Sequence, residues 1–234
     1  MMARSLSPQS ARGRQAEARR NDLAVLEAAR DVFTAMGADA PIAAVAERAG
    51  VGMGTLYRRY GSKTELLQRL CMLAMEQALE AAEEALRADD PWAGLAGYIT
   101  AAIELRSGAL ASLAGRIETT DEMRRAAQRG LTCVTEIVAR AHRDGSLRPD
   151  VTAMDISWLI EQFSRRSPVP ADADAERNVR SRLVSIALDG LRPGSRAGSP
   201  GTTLPGAPPS PVHYVQRWSR TPDRSQAAGQ CDPM

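Results

Sequence analysis

Lysine is almost missing from this chain: of thirty basic residues only Lys63 is a lysine, and the others are arginine. Aromatic residues make up 4% of 234, and strand formers occur only in short patches, so little is present from which to build a sheet core. Ala, Leu, Arg and Glu dominate instead, which favours helices throughout. The expected fold class is all-α. The three cysteines, Cys71, Cys133 and Cys231, are odd in number and widely separated, with no C-x-x-C spacing, and there are two histidines. That excludes a disulfide framework and a zinc site, so neither a metal nor a cofactor is expected.

Other absences narrow the function. No apolar run approaches the roughly 20 residues that cross a bilayer, and the first twenty residues contain no apolar stretch of the signal-peptide kind. A soluble, cytoplasmic protein with no membrane partner is the expectation. There is no Ser/His/Asp set at convincing spacing and no phosphate-cradling glycine loop after a strand, so an enzyme is not expected. A net charge of +2 is too small to imply a nucleic-acid partner by itself, and the placement of charge matters more.

Charge and glycine are concentrated in two places. Before Asn21, "MMARSLSPQSARGRQAEARR" carries Arg4, Arg12, Arg14, Arg19 and Arg20 against Glu17, which reads as a flexible basic arm over residues 1–20. The second place is "AGVGMGTLYRRYGSKTEL", Ala49 to Leu66, which gathers four glycines, two tyrosines, adjacent arginines and the lone lysine. Its flanks explain the glycines. Asn21 can cap a helix whose apolar positions Leu23, Leu26, Phe33 and Met36 run up to Gly37. After Pro41, the residues Ile42, Val45, Ala46 and Ala49 give a short second helix ending at Gly50. "GVG" makes a tight turn, and a third short helix follows from Met53 to Tyr60. Ser62 and Glu65 form an S-x-x-E capping box that starts a long fourth helix toward Leu86.

Two short helices joined by a glycine turn are a helix-turn-helix, whose second helix enters the major groove while its neighbours clamp phosphates. Gly54 lets the backbone approach DNA, Thr55 offers a hydroxyl, Tyr57 can donate to phosphate, and Arg58 can fork onto a guanine edge. Lys63 lies in the first turn of helix four, where free amides and the helix dipole already attract an anion.

"AAVAERAGVGMGTLYRRYGSKTELL" resembles the DNA-binding region of the tetracycline-repressor (TetR) family of bacterial transcriptional regulators, over residues 21–70. The agreement lies at Gly50, Val51, Thr55, Leu56, Tyr57, Tyr60, Lys63 and Leu66. It implies that Thr55, Tyr57 and Lys63 contact the sugar-phosphate backbone of double-stranded DNA, and that Met53, Thr55 and Arg58 face bases. Gly54 and Arg59 belong to the same expected surface. Departures at Ala40, Ala43 and Gly52 remove side chains that members often use for capping or reading, which puts more weight on Arg58 and Arg59.

The resemblance further implies a division into residues 21–67, the DNA-binding domain, and 68–192, an all-helical domain that binds a small-molecule effector and dimerises. Pairing also follows from the limited reach of one short reading helix on a palindromic site. The expected homodimer surface is Thr152 to Phe163 with Asp174 to Leu191, along a stripe of Val184, Ala187, Leu188 and Leu191. Pocket candidates are the scarce large side chains Trp92, Tyr98, Met123, Cys133, Trp158 and Phe163. Residues 193–234, rich in Pro, Gly and Ser, read as a disordered tail containing one candidate docking segment, "VHYVQRWSR". A repressor released by its ligand is the leading expectation. The alternative is the same fold triggered by oxidation at Cys71 or Cys133, or by a protein partner.

Overall fold

A computed structural model describes residues 8–165, 173–194, 203–212 and 216. Among the described residues are eight α-helices, one 3-10 segment and no strand. They fall into two compact units, Met1–Leu70 and Cys71–Met234.

The first unit holds α1 (Pro8–Met36), α2 (Ile42–Ala49), α3 (Met53–Tyr60) and the start of α4 (Lys63–Arg87), which continues into the second unit. α2 and α3 have the boundaries expected from their glycines, but α1 does not begin at Asn21. It starts at Pro8, so the segment expected to be a flexible arm is helical from there on, and residues 1–7 lie outside the described ones. "ARGRQAEARR" has no apolar period, yet Ala, Arg, Gln and Glu are among the better helix formers, so propensity carries the helix where packing gives no signal. Leu26 and Phe33 of α1 are fully buried with Val45 of α2, Leu56 of α3 and Leu66 of α4. Leu23 and Met36, expected on the same apolar face, are 45% and 59% exposed.

The turn between α2 and α3 needs glycine once. Gly50 ends α2 at φ 66°, and its N–H reaches the carbonyls of Ala46 and Glu47, whereas Gly52 sits at an ordinary φ of −72°. At the start of α4, Ser62 Oγ accepts the Glu65 N–H at 3.1 Å, but the Ser62 N–H is taken by the Tyr60 carbonyl at 2.7 Å. Only the serine half of the capping box forms; the Glu65 carboxylate accepts from the Ser62 hydroxyl at 3.2 Å.

In the second unit the rest of α4 is followed by α5 (Pro91–Glu104), a 3-10 segment (Ser107–Leu113), α6 (Asp121–Arg143), α7 (Ala153–Phe163) and α8 (Ala173–Leu191). Each of the middle helices starts on a side-chain cap: Asp90 for α5, Thr120 for α6, and a full Thr152–Asp155 capping box for α7. Two glycines admit close approaches. A Cβ on Gly94 would fall 2.6 Å from the Ala85 carbonyl, and one on Gly108 would fall 2.5 Å from the Glu161 Cα. Arg140 of α6 donates to the carbonyls of Leu86 and Ala88, serving acceptors that the end of α4 leaves without helical partners. Leu95, Ile99, Ile103, Val134, Ile137 and Ile156 form the centre of the core.

α8 corrects one expectation. Val184 and Leu191 are buried in this unit's own core and Leu188 packs against it, so the stripe expected at a dimer surface faces inward. A different face is open: Val179, Leu183 and Ile186 are 59%, 45% and 59% exposed. Of the segment expected to be a disordered tail, residues 193–194, 203–212 and 216 are among the described ones. There the Leu204 N–H donates to Asp150 Oδ2 at 2.7 Å. Most of "VHYVQRWSR" lies outside the described residues.

Candidate nucleic-acid interface and ligand cavity

α3 is two-faced. Leu56 and Tyr60, four apart, are buried and fix the helix to the unit, while Met53, Gly54, Thr55, Tyr57, Arg58 and Arg59 are exposed. Tyr57 is 44% exposed and Met53 37%, so both present surface to solvent beside Arg58. An added Cβ on Gly54 would meet no atom within 4 Å, so its role is not internal packing; it leaves a low point on the outer face. Every residue expected to touch DNA from this helix therefore lies on its accessible side.

The adjacent arginines part company. Arg58 Nη2 lies 3.3 Å from Thr55 Oγ1, one turn back on the exposed face. Arg59 turns the other way, and its Nε donates to Asp22 Oδ1 of α1 at 2.6 Å. The same oxygen accepts the Tyr60 hydroxyl. Burial, reinforced by the Asp22 hydrogen bond and charge, pushes the Tyr60 phenol well above its ordinary range. Asp22 thus ties the last turn of α3 to α1 through two neighbours, a function that sequence reasoning did not assign to it.

Lys63 is the first residue of α4 and is half-buried, with Nζ 5.8 Å from the centre of the Phe33 ring. Burial lowers its pKa, partly offset by Asp39. A compact ammonium on a flexible stem fits this ledge over an aromatic face, beside amides that have no helical acceptor.

The second unit contains a cavity of about 410 Å³ walled by α4, α5, the 3-10 segment, α6 and α7. Of the six side chains expected there, Tyr98 and Met123 line it. Trp92, Cys133, Trp158 and Phe163 do not. Trp92 stacks under the Arg192 guanidinium at 4.2 Å, Cys133 and Phe163 pack against the core, and Trp158 is half-buried elsewhere on α7. Large side chains fill space; the hollow exists where small ones leave it, at Ala74, Ala78, Ala127 and Gly130. Met75, Met123 and Met154 add polarizable surface.

Its polar groups are few and mostly engaged. Arg124, the charged residue of the lining, donates to the Thr119 carbonyl at 2.9 Å and pairs with Asp121. Ser107 and Ser157 each donate to a backbone carbonyl at 2.9 Å, leaving their oxygens as acceptors. Cys71 lines the cavity with its thiol pushed up to about 12 by burial, and burial together with Glu83 raises the Cys133 thiol as well. Both environments disfavour the thiolate that oxidation requires. Among the described residues no group of His, Cys, Asp or Glu is arranged to hold a metal, and no helix is long and apolar enough to cross a membrane.

Residues 25–70 match the family described as bacterial regulatory proteins, tetR family. Residues 90–193 match the C-terminal domain described as transcriptional regulator SbtR-like. Among solved structures, a TetR transcription regulatory protein from Mycobacterium vanbaalenii is 28% identical, with a TM-score of 0.52, covering 76% of this chain and 98% of its own. A TetR transcriptional regulator from Streptomyces coelicolor is 24% identical at a TM-score of 0.53, covering 74% and 98%. The TetR-family regulator PfmR from Thermus thermophilus is also 24% identical, at 0.51, covering 72% and 98%. No curated protein matches the chain.

Proposed function

The chain belongs to the TetR family of DNA-binding transcriptional regulators, and from that premise we propose that it represses transcription by holding a two-fold symmetric operator as a homodimer until a small, largely apolar molecule releases it. The observation that carries the DNA half is the two-faced α3, with Leu56 and Tyr60 buried behind an outer row of Met53, Thr55, Tyr57 and Arg58. Arg58 reads a base edge, Met53 and Thr55 flank it in the groove, and Tyr57 and Lys63 take phosphates. Arg59, engaged with Asp22, supports the helix from behind the reading face.

The effector half rests on the cavity of the second unit. Its volume lies within the range of small-molecule sites, and its walls of alanine, glycine and methionine suit an uncharged or weakly polar molecule, aromatic for preference. α4 supplies the connection: the helix that begins at Lys63 in the first unit lines the cavity from Cys71 to Leu79 in the second. The pairing surface is the open face of α8, Val179, Leu183 and Ile186. Leu183→Glu combined with Ile186→Glu should turn a dimer in analytical ultracentrifugation into a monomer; an unchanged dimer removes this face from the proposal.

The test of the whole is recovery of bound fragments from the source genome, followed by footprinting. A two-fold symmetric protected site is expected, with a log-log salt slope steeper than about −2 because several phosphates are contacted. A ligand found by screening release from that site should show a coupling of about 1 to 3 kcal/mol. Equal affinity of the ligand for free and operator-bound protein ends the effector reading.

A further inference from the structure

The segment 203–212 lies beyond residue 193, where the family match stops, and the solved relatives use almost all of their own length while covering about three-quarters of this chain. The family match therefore does not account for this segment. Two contacts place it on the effector unit. At one end, the Leu204 N–H donates to Asp150 Oδ2 at 2.7 Å. Asp150 is itself clamped by Arg148, whose Nε and Nη2 donate to its two oxygens at 2.6 and 2.9 Å, while the Arg148 N–H donates to the Leu191 carbonyl at 3.0 Å. The anchor is thus a carboxylate already fixed to the end of α8. At the other end, Pro211 forms part of the cavity wall, together with residues of α4, α6 and α7.

We infer that residues 203–212 are a strap that closes the mouth of the effector cavity, so that the bound molecule touches the C-terminal extension as well as the helical domain. The inference rests on the reading of the cavity as the effector site. The composition of the strap suits the task. Pro205, Pro208, Pro209 and Pro211 have no amide hydrogen, so the segment carries few donors in need of partners, and it can leave the surface without stranding them. Their fixed φ also limits the conformational entropy lost when the strap lies down. Gly206 takes φ 82°, which lets the chain bend shortly after the anchor at Leu204. A closure secured by one amide hydrogen bond and van der Waals contact is weak enough to open for each ligand.

The probe is N-phenyl-1-naphthylamine, an uncharged aromatic dye whose fluorescence rises in apolar surroundings. Its binding and release are followed by stopped flow on the full chain, on a chain ending at Thr202, and on full-length Leu204→Pro, which removes the anchoring N–H donor while keeping the rest of the extension. Ala78→Phe fills the cavity and serves as the control for where the dye sits. The expected result is dye release faster by about two- to tenfold in Leu204→Pro, the worth of roughly one net hydrogen bond, and faster still in the shortened chain. Binding only after shortening equally supports closure. If Ala78→Phe blocks the dye while the other two variants release it at the parental rate, the strap is wrong and the cavity reading stands. If the dye binds neither the full nor the shortened chain, or Ala78→Phe leaves binding intact, the cavity reading falls and takes the strap with it. Should the shortened chain fail to fold by circular dichroism, Leu204→Pro decides alone.

Discussion

In the first unit Met53, Thr55, Tyr57 and Arg58 stand on the outside of a helix whose back is buried, whereas in the second a hollow opens where Ala74, Ala78, Ala127 and Gly130 stand among larger side chains. The two surfaces are made by opposite means. An exposed reading face needs long polar side chains on a rigid back, so its chemistry is carried by what protrudes. A cavity needs the absence of side chains at chosen places, so its chemistry is carried by what is left out. This difference decides which substitutions should hurt which activity.

The sharpest separation comes from Phe33, fully buried in the first unit and lying under Lys63 Nζ. Phe33→Ala should destabilise that unit by about 3 to 5 kcal/mol, the usual range for removing a buried aromatic side chain. DNA binding is expected to disappear while N-phenyl-1-naphthylamine binding in the second unit stays within about twofold, well under the tenfold that about 1.4 kcal/mol represents. Equal loss of both activities would break the contrast between the units.

Next in size is Arg58→Ala, expected to cost about 1 to 3 kcal/mol on the preferred operator and to relax base choice at one position in each half-site. Binding against a panel of single-base operator variants measures both. Lys63→Ala should behave differently in kind: all sequences weaken alike, and the salt slope becomes shallower by about 1 per subunit. A Lys63→Ala protein with altered base preference would show that the lysine reads sequence and does not merely hold phosphate.

The smallest effect is one of pH. The Tyr60 phenol is raised above its ordinary value of 10.0, so the folded state holds a proton that the unfolded chain releases first. Its contribution is fully present below pH 10.0 and is lost as the pH climbs through and beyond that value. Denaturant unfolding of the parent should weaken over this range, and Tyr60→Phe, lacking the phenol, should weaken less. A parallel pH dependence in the two proteins would show that Tyr60 contributes nothing to it.

Much of the first unit was legible in the sequence because its signals are local. Gly50 and Gly61 punctuate α3 within a few residues, and Ser62 caps the helix that follows. The Asp22 link to Arg59 and Tyr60 was not legible, since the partners lie 37 and 38 residues apart and only the fold brings them together. Nor was the orientation of α8. Val184, Leu188 and Leu191 repeat at helical spacing, but so do Val179, Leu183 and Ile186, and periodicity alone does not say which row faces the subunit's own core. The cavity lining was hidden for a related reason: conspicuous side chains such as Trp92 and Phe163 occupy the interior, whereas space is marked by alanine and glycine, residues too common to stand out.

The alanines in the cavity wall are also the places where the hollow can be reshaped. Replacing Ala74, Ala78 or Ala127 by a larger residue alters the shape of the hollow by a few atoms at a time and leaves the exposed residues of α3 as they are. On the proposed reading, a lineage carrying this chain has a short mutational path to a new inducer under an unchanged operator, and an engineer seeking a sensor for another molecule would begin at the same positions.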